Sequence, residues 1–477
     1  MKKKTFIITI IGILCCFPIS FIEDASASKQ TMTSNINSII AKNWTTNEHS
    51  ITIREMESGN VLYSKNGEMM IRPASTHKLL VSAAALDLLG PDYRFVTRSY
   101  IDGSIENGVL KGNIYLQGGG DPTLLPAHLE SFANGFEKMG ITKITGSLIA
   151  DDKWFDDDRL SKGIAPEDEA LSFASRISSL TISPNDDYDI STVGVKVTGS
   201  KVGVAANVQL EPNTSIIPIV NQTKVVKKGS KSTVSITREY GTDRIIIKGN
   251  LPTGTKESTN VTVYNPTLYT LDVFREKLKA KGIQEMPLEI GQVPTNAQRV
   301  GVLYSKPLQD INFRFLKLSI NGMGEMLMKQ IGREKLGEGS WTAGLQAIRK
   351  YGFDSGLNME QWYFEDGSGL NHQNRVSSMQ ESLLLHKVRS RSWYFSYLDA
   401  LPHAGRKGKL IGATLENRLN GYSVSAKTGY ITGTYALAGY VQGKSGNWYI
   451  FSILTQANRS SALSTIDQIV AQIAKEM

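Results

Sequence analysis

Apolar and polar positions alternate over Ser50 to Met56, pause at Ser58-Gly59-Asn60 and resume over Val61 to Ser64, which predicts an antiparallel hairpin early in the chain. The spacing then turns helical. Leu79, Leu80, Ala83, Leu86 and Leu89 recur close to the 3.6-residue period, so a helix is expected from about Ser75 until Gly90-Pro91 stops it. From about 99 to 190, short strands (Asn113 to Gln117, Gly146 to Ala150) mix with a helix near Ala127 to Met139. Residues 191–256 lose the helical period: Val193 to Val197, Ala205 to Leu210, Ser232 to Thr237 and Arg244 to Ile247 read as strands between Gly-, Lys- and Asn-rich turns. A strand at Thr259 to Tyr264 and a helix at Thr270 to Lys281 restore the mixed pattern.

Residues 298–477 bring longer helices, Leu308 to Leu318, Gly322 to Ile331 and Trp341 to Tyr351. They end in strands Tyr435 to Gln442 and Trp448 to Gln456 around Lys444-Ser445-Gly446-Asn447. The closing helix, Ala462 to Met477, puts Ile466, Ile469, Val470 and Ile473 on one face. That face is expected against a sheet rather than a membrane, because basic residues do not dominate its polar side. The pattern as a whole predicts an α/β (α+β) multidomain chain.

The first residues stand apart. Lys2, Lys3 and Lys4 precede the apolar run Phe6 to Phe21, and Ala25-Ser26-Ala27 gives a small-x-small cleavage pattern, so residues 1–27 read as a secretory signal peptide. The run is broken by Gly12 and Pro18 and is shorter than the roughly 20 residues that a spanning helix needs, so no transmembrane segment is expected in the mature chain. Cys15 and Cys16 would leave with the leader, so the mature protein would hold no disulfide and would depend on its cores. The formal charge of +8 becomes +7, because three lysines depart with Glu23 and Asp24. Such an exported basic protein can be held at anionic polymers of a cell envelope or can simply be well solvated. No interleaving of aromatics with Lys and Arg points to nucleic acid. Six histidines without a His-Glu-x-x-His string suggest no metal site, and nothing calls for a cofactor.

Three strings carry candidate chemistry: Ser75-Thr76-His77-Lys78, Ser319-Ile320-Asn321 and Lys427-Thr428-Gly429. In Ser-x-x-Lys the two side chains share one helix face, so a neutral Lys78 can take the Ser75 proton while first-turn N–H groups help hold an oxyanion. The tetrapeptide Ser26 to Lys29 has the same form, but only Ser75 follows Pro73-Ala74 and opens a helix. Ser319 would set a hydroxyl beside the lysine amine to pass a proton to the leaving group, and Asn321 would orient the substrate backbone. On a strand, Lys427 offers a positive anchor, Thr428 a hydroxyl for a carboxylate, and Gly429 an open approach to the backbone. The N–H of Tyr430 would be the second oxyanion donor. Asp366-Gly367-Ser368-Gly369 with His372 lacks the glycine that a nucleophile elbow needs two positions before its serine. Ser75 and Ser319 lie 244 residues apart, room for inserted domains.

With these strings in place the chain resembles the D-alanyl-D-alanine carboxypeptidases of the class C, low-molecular-mass penicillin-binding proteins. The likeness rests on Arg72 to Lys78, Gly119-Gly120-Asp121-Pro122, Asp366 to Leu370, Leu401-Pro402 with Ala404-Gly405, and Ala426 to Gly429 followed by Gly433. It implies a penicillin-binding, transpeptidase-like domain, an antiparallel sheet flanked by helices, formed by 28–98 and 298–477. A mixed inserted domain would comprise 99–190 and 257–297, and would carry the all-β module 191–256. It further implies Ser75 as acylated nucleophile, Lys78 as general base, Ser319 and Asn321 as the second motif and Lys427 to Gly429 as the third. The substrate class would be peptidoglycan stem peptides ending in D-Ala-D-Ala, with endopeptidase action on cross-links in some members, and β-lactams would acylate the same serine. By position, Asp151 and Arg418 look like family residues that reach the substrate. Tyr430 and Ile320 depart from the small hydroxyl and polar residues common at those places. A penicillin-binding sensor that hardly turns over and a serine β-lactamase remain as alternative readings.

Overall fold

The computed structural model describes residues 20–165, 168–284 and 286–477. Most of the expected leader, residues 1–19, lies outside the described residues. Among the described residues no helix is long and apolar enough to cross a membrane.

The first described element is a helix over Ser20–Asn43 that the hydrophobic pattern did not predict. Its apolar residues are sparse but fall four apart, so Met32, Ile36 and Ile40 form one narrow buried stripe. That stripe lies with Ile466, Ile469, Val470 and Ile473 of the last helix, Arg459–Glu476, in one core under a five-stranded antiparallel sheet. The sheet runs Val61–Lys65, His49–Glu55, Trp448–Thr455, Thr434–Gln442, Val424–Ile431, so the two ends of the chain meet in it. Its two faces follow from period-two alternation. Ile51, Ile53, Leu437, Phe451 and Ile453 face the terminal helices, whereas Ala436, Ala438, Ile450 and Leu454 face a central helix, Lys78–Leu88. That helix is apolar all round and buried from Leu79 to Leu86, as a helix enclosed on every side must be.

The chain enters and leaves a second sheet on neighbouring strands. Val96–Ile101 pairs antiparallel with Gln298–Tyr304, and the sheet continues through Ile114–Gln117, Leu148–Asp151 and Leu288–Ile290. Helices Pro126–Lys138 and Pro266–Ala280 supply apolar side chains to the core on it. Residues 192–262 form two three-stranded sheets. One is Asn207–Glu211, Thr192–Thr198, Lys256–Thr262, and the other is Ile219–Val226, Ile245–Pro252, Ser235–Arg238. The strand Ile219–Val226 was not foreseen, because its polar centre Asn-Gln-Thr-Lys conceals the two buried positions Thr223 and Val225.

Candidate active site

Ser75 owes its position to the turn before the central helix. Ala74 takes a left-handed conformation (φ 49°), and Ala74–His77 then forms a 3-10 turn rather than the α-helix expected from Ser75 onward. Three residues per turn stack positions i and i+3 directly. The Lys78 Nζ accordingly lies 2.9 Å from the Ser75 Oγ. The turn is held by the Pro73 carbonyl, which accepts the Thr76 hydroxyl at 2.9 Å and the Thr76 N–H at 3.3 Å.

Lys78 is fully buried. Besides Ser75 it reaches the Asn321 Oδ1 at 2.8 Å and the Ser368 carbonyl at 2.6 Å. Burial, only partly offset by the charges of Asp366 and Glu325, lowers its pKa to about 7. Removing water from an ammonium disfavours the charged form, so a large share of Lys78 is a neutral amine at neutral pH.

The second motif sits at a helix junction. Leu308–Leu318 ends on Ser319, which takes a left-handed conformation at φ 60°, and the next helix starts at Asn321. This sharp break aims both side chains at the nucleophile turn. Their partners differ from expectation, however. The Ser319 hydroxyl accepts from the Lys427 Nζ at 2.9 Å, while it is Asn321 that contacts Lys78. The Asn321 amide also donates to the Phe173 carbonyl at 3.2 Å, tying the inserted segment to the site.

Alternation along Val424–Ile431 puts Ala426 with the terminal helices and Lys427 on the face of the central helix. Lys427 is fully buried, and burial together with the charge of Lys78 holds its pKa well below the usual lysine value. Thr428 shares a 2.8 Å hydrogen bond with the Thr414 hydroxyl. Gly429 is needed for a reason internal to the protein: a Cβ there would stand 2.5 Å from the Pro73 carbonyl oxygen and 3.0 Å from the Ala436 Cβ. The third motif is thus packed on the nucleophile turn itself. Tyr430 is 57% exposed and its ring lies 5.2 Å from that of Tyr435. A cavity of about 680 Å³ opens over these groups, lined by Ser75, Phe173, Ser319, Asn321, Leu370 and Tyr430 among others.

Sequence reasoning missed the support beneath Lys78. Glu325 is buried on the helix that starts at Asn321, and it accepts from Trp341 Nε1 (2.7 Å) and from the backbone N–H groups of Gly367 (3.0 Å) and Ser368 (3.1 Å). It thereby fixes the loop whose Ser368 carbonyl receives Lys78. Burial, then the charge of Asp366, pushes the Glu325 carboxyl up to about 7. The pair Gly324 and Gly367 lets helix and loop backbones touch, since a Cβ on Gly324 would lie 2.5 Å from the Gly367 carbonyl oxygen. The glycines spaced around Glu325 and Ser368 were the available signal. Asp366 accepts from the N–H groups of Gly369 (2.9 Å) and Asn371 (2.8 Å), so the Asp-Gly-Ser-Gly string is a buckle. No triad forms there, because Ser368 is buried and the His372 ring faces Arg72 at 3.2 Å. His77 is buried and neutral, its pKa lowered to about 4 chiefly by burial, with ring nitrogens on the Asp366 carbonyl (3.0 Å) and Trp362 Nε1 (3.2 Å).

The two further candidates, Asp151 and Arg418, have partners within the protein. Asp151 accepts from Gln117 (2.8 Å) and from the backbone of Lys153 and Val293 (3.1 Å each), which closes the end of its own sheet. Arg418 is paired with Asp467 of the last helix at 2.7 and 3.1 Å. Neither lines the cavity. In each, a long-range partner has claimed a charge whose place in the sequence suggested a ligand.

The geometry defines a serine hydroxyl bonded to a buried lysine amine at the junction of an antiparallel sheet and a buried helix. The D-Ala-D-Ala carboxypeptidase 3 (S13) family matches residues 32–477, and the chain belongs to that family. It is 34% identical over 435 residues to the D-alanyl-D-alanine carboxypeptidase of Actinomadura sp. (strain R39), covering 89% of this chain and 81% of the relative. It is 25% identical to the D-alanyl-D-alanine carboxypeptidase DacB of Haemophilus influenzae, over 94% and 93% of the two chains. The crystal structure of penicillin binding protein 4 from Haemophilus influenzae superimposes with a TM-score of 0.79 at 22% identity, over 92% of this chain and 99% of that one, and so shares its fold.

Proposed function

We propose that the protein hydrolyses the terminal D-Ala from peptidoglycan stem peptides through an acyl-enzyme on Ser75. The observation that carries this reading is two sets of contacts, Ser75 to Lys78 to Asn321 and Lys427 to Ser319, whose Ser75, Asn321 and Ser319 ends line one cavity. Neutral Lys78 takes the Ser75 proton as Oγ attacks the carbonyl of the penultimate D-Ala. The oxyanion is held by the N–H groups of Ser75 and Tyr430. Ile431 opposite Thr434 closes a two-residue hairpin, so ladder alternation directs the Tyr430 N–H outward from the sheet edge. The amide C–N bond breaks as the leaving D-Ala nitrogen takes the proton of the Ser319 hydroxyl, whose oxygen Lys427 holds, and Lys78 gives the proton it took from Ser75 to Ser319, which leaves Lys78 neutral for deacylation. Water then cleaves the ester, and Lys78 accepts and returns the proton. Lys427 and Thr428 supply charge and hydroxyl for the terminal carboxylate.

The proposal includes endopeptidase action on cross-links ending in the same D-configured bond, acylation of Ser75 by β-lactams, and export through residues 1–27 to the cell envelope. It also divides the chain into a catalytic part (28–98 and 298–477), an inserted domain (99–190 and 257–297) and the all-β module (191–256), whose first sheet borrows the strand Lys256–Thr262 from the start of the segment 257–297. Release of D-Ala from a pentapeptide, set beside intact mass after penicillin treatment, tests the catalytic reading. Wild type should do both and Ser75→Ala neither. D-Ala release by Ser75→Ala, or acylation of wild type without any release, would refute it.

A further inference from the structure

The net charge of this protein is concentrated in one module. Residues 192–262 hold ten Lys and Arg against four Asp and Glu, a net +6 out of +8 for the whole sequence. The fold gathers much of that charge on one face and one end of the three-stranded sheet. Ile219–Val226 runs parallel to Ile245–Pro252 with Gln222 opposite Lys248 and Lys224 opposite Asn250. Thr223, Val225, Ile245, Ile247 and Leu251 turn inward, so Gln222, Lys224, Lys248 and Asn250 are left exposed on the outer face. Lys224 and Lys248 are therefore diagonal neighbours, about 7–8 Å apart at the backbone.

Lys227, Lys228 and Lys231 occupy the exposed turn that follows. The Thr233 N–H donates to the Asn250 carbonyl at 2.9 Å, and the Gly203 N–H to the Val225 carbonyl at 2.9 Å, so both the Lys231 and the Lys201 segments are folded back onto the same end. Three of the four acids of the module are engaged elsewhere: Glu211 pairs with Lys196, Glu239 with Arg244, and Asp243 accepts the Tyr264 N–H; the fourth, Glu257, lies in the other sheet, opposite Val197. None of the ion pairs among the described residues includes any of these six lysines.

We infer that this lysine face is a docking surface for an extended polyanion of the phosphodiester class. Six like charges gathered without acidic partners repel one another and cost stability, a cost that a bound polyanion reverses. All six are lysines, flexible point charges that follow a mobile chain of phosphates rather than a fixed planar group. The side chains nearest the strand lysines on the outer face, Gln222, Ser235 and Asn250, are polar, and the apolar Val220 and Ile246 further along that face are half-buried, as suits a hydrated polymer rather than a lipid surface that needs apolar insertion. No residue of 192–262 lines the active-site cavity, so docking here leaves the cleft open to a stem peptide.

The test uses the whole purified protein and poly(glycerol phosphate), with binding followed at 50 and 200 mM NaCl. Neutralising four phosphates gives a slope of log affinity against log salt of about −3, a loss of about sixty-fold across that interval. The variant K224Q/K227Q/K228Q/K248Q should bind at least about tenfold more weakly at 50 mM with a shallower slope. Its melting temperature should not fall, since mutual repulsion is relieved, and its activity on a soluble pentapeptide should not change. Removing four exposed lysines elsewhere (K138Q/K335Q/K350Q/K475Q) should spare binding, and equal loss in that variant would overturn the location. Binding to phosphatidylglycerol/phosphatidylcholine vesicles in preference to the polymer would overturn the choice of ligand. Ser75→Ala should retain full binding, which keeps this inference separate from the catalytic one.

Discussion

Gly429→Ala probes the packing between the third motif and the nucleophile turn. The added methyl would stand 2.5 Å from the Pro73 carbonyl oxygen, against roughly 3.4 Å for an ordinary contact, so strand or turn must give by about 0.9 Å. The added methyl cannot slip sideways either, because the Ala436 Cβ on the paired strand is 3.0 Å from it and the Ala74 Cβ 3.3 Å. The turn therefore moves, and Pro73 is the residue whose carbonyl anchors Thr76 and hence the 3-10 geometry joining Ser75 to Lys78. Overpacking of this kind costs about 1–3 kcal/mol of stability, which leaves a folded protein. A displacement near 1 Å at the reacting atoms costs about 10²-fold in rate. The expected result is a monomeric, folded variant whose second-order acylation by fluorescent penicillin falls about a hundredfold, with D-Ala release falling in parallel. Had the glycine served only to admit substrate backbone, KM for the peptide would rise while acylation by a small β-lactam stayed unchanged. That outcome, or acylation within about twofold of wild type, would refute the packing argument.

The acid limb of acylation should fall about tenfold per pH unit below about 7, where Lys78 becomes protonated. Glu325→Gln removes a charge that raises the Lys78 pKa, so this limb should move to lower pH; a limb that stays fixed would contradict the coupling. Asn321→Ala takes away an acceptor of Lys78 and the link to the Phe173 carbonyl, and acylation should drop by about 10–100-fold, in line with about 1.5–3 kcal/mol for a hydrogen bond to a charged group. Arg418→Ala should lower thermal stability by no more than about 1 kcal/mol and leave D-Ala release within about twofold, because its guanidinium is paired with Asp467 and it does not line the cavity. A clear rise in KM would restore it to the substrate site.

The sequence alone determined the chemistry and its order along the chain. Ser75 to Lys78, Ser319 to Asn321 and Lys427 to Gly429 were legible because each string is local, and a few adjacent residues dictate a turn, a helix start or a strand. The hairpin near Ser50 and the closing helix were legible for the same reason, since period and burial coincide there. Tertiary structure alone decided which groups face each other. It gave Ser319 to Lys427 and Asn321 to Lys78, set Glu325 beneath the loop at Ser368, and committed Asp151 and Arg418 to partners of their own. The physical reason is that hydrogen bonds and desolvation act across space, between segments far apart along the chain, such as Lys78 and Ser368 at a separation of 290 residues. Spacing along the chain does not encode that separation. The lysine face of the β module divides in the same way: its charges can be counted in the sequence, but their common direction comes only from the register of two parallel strands.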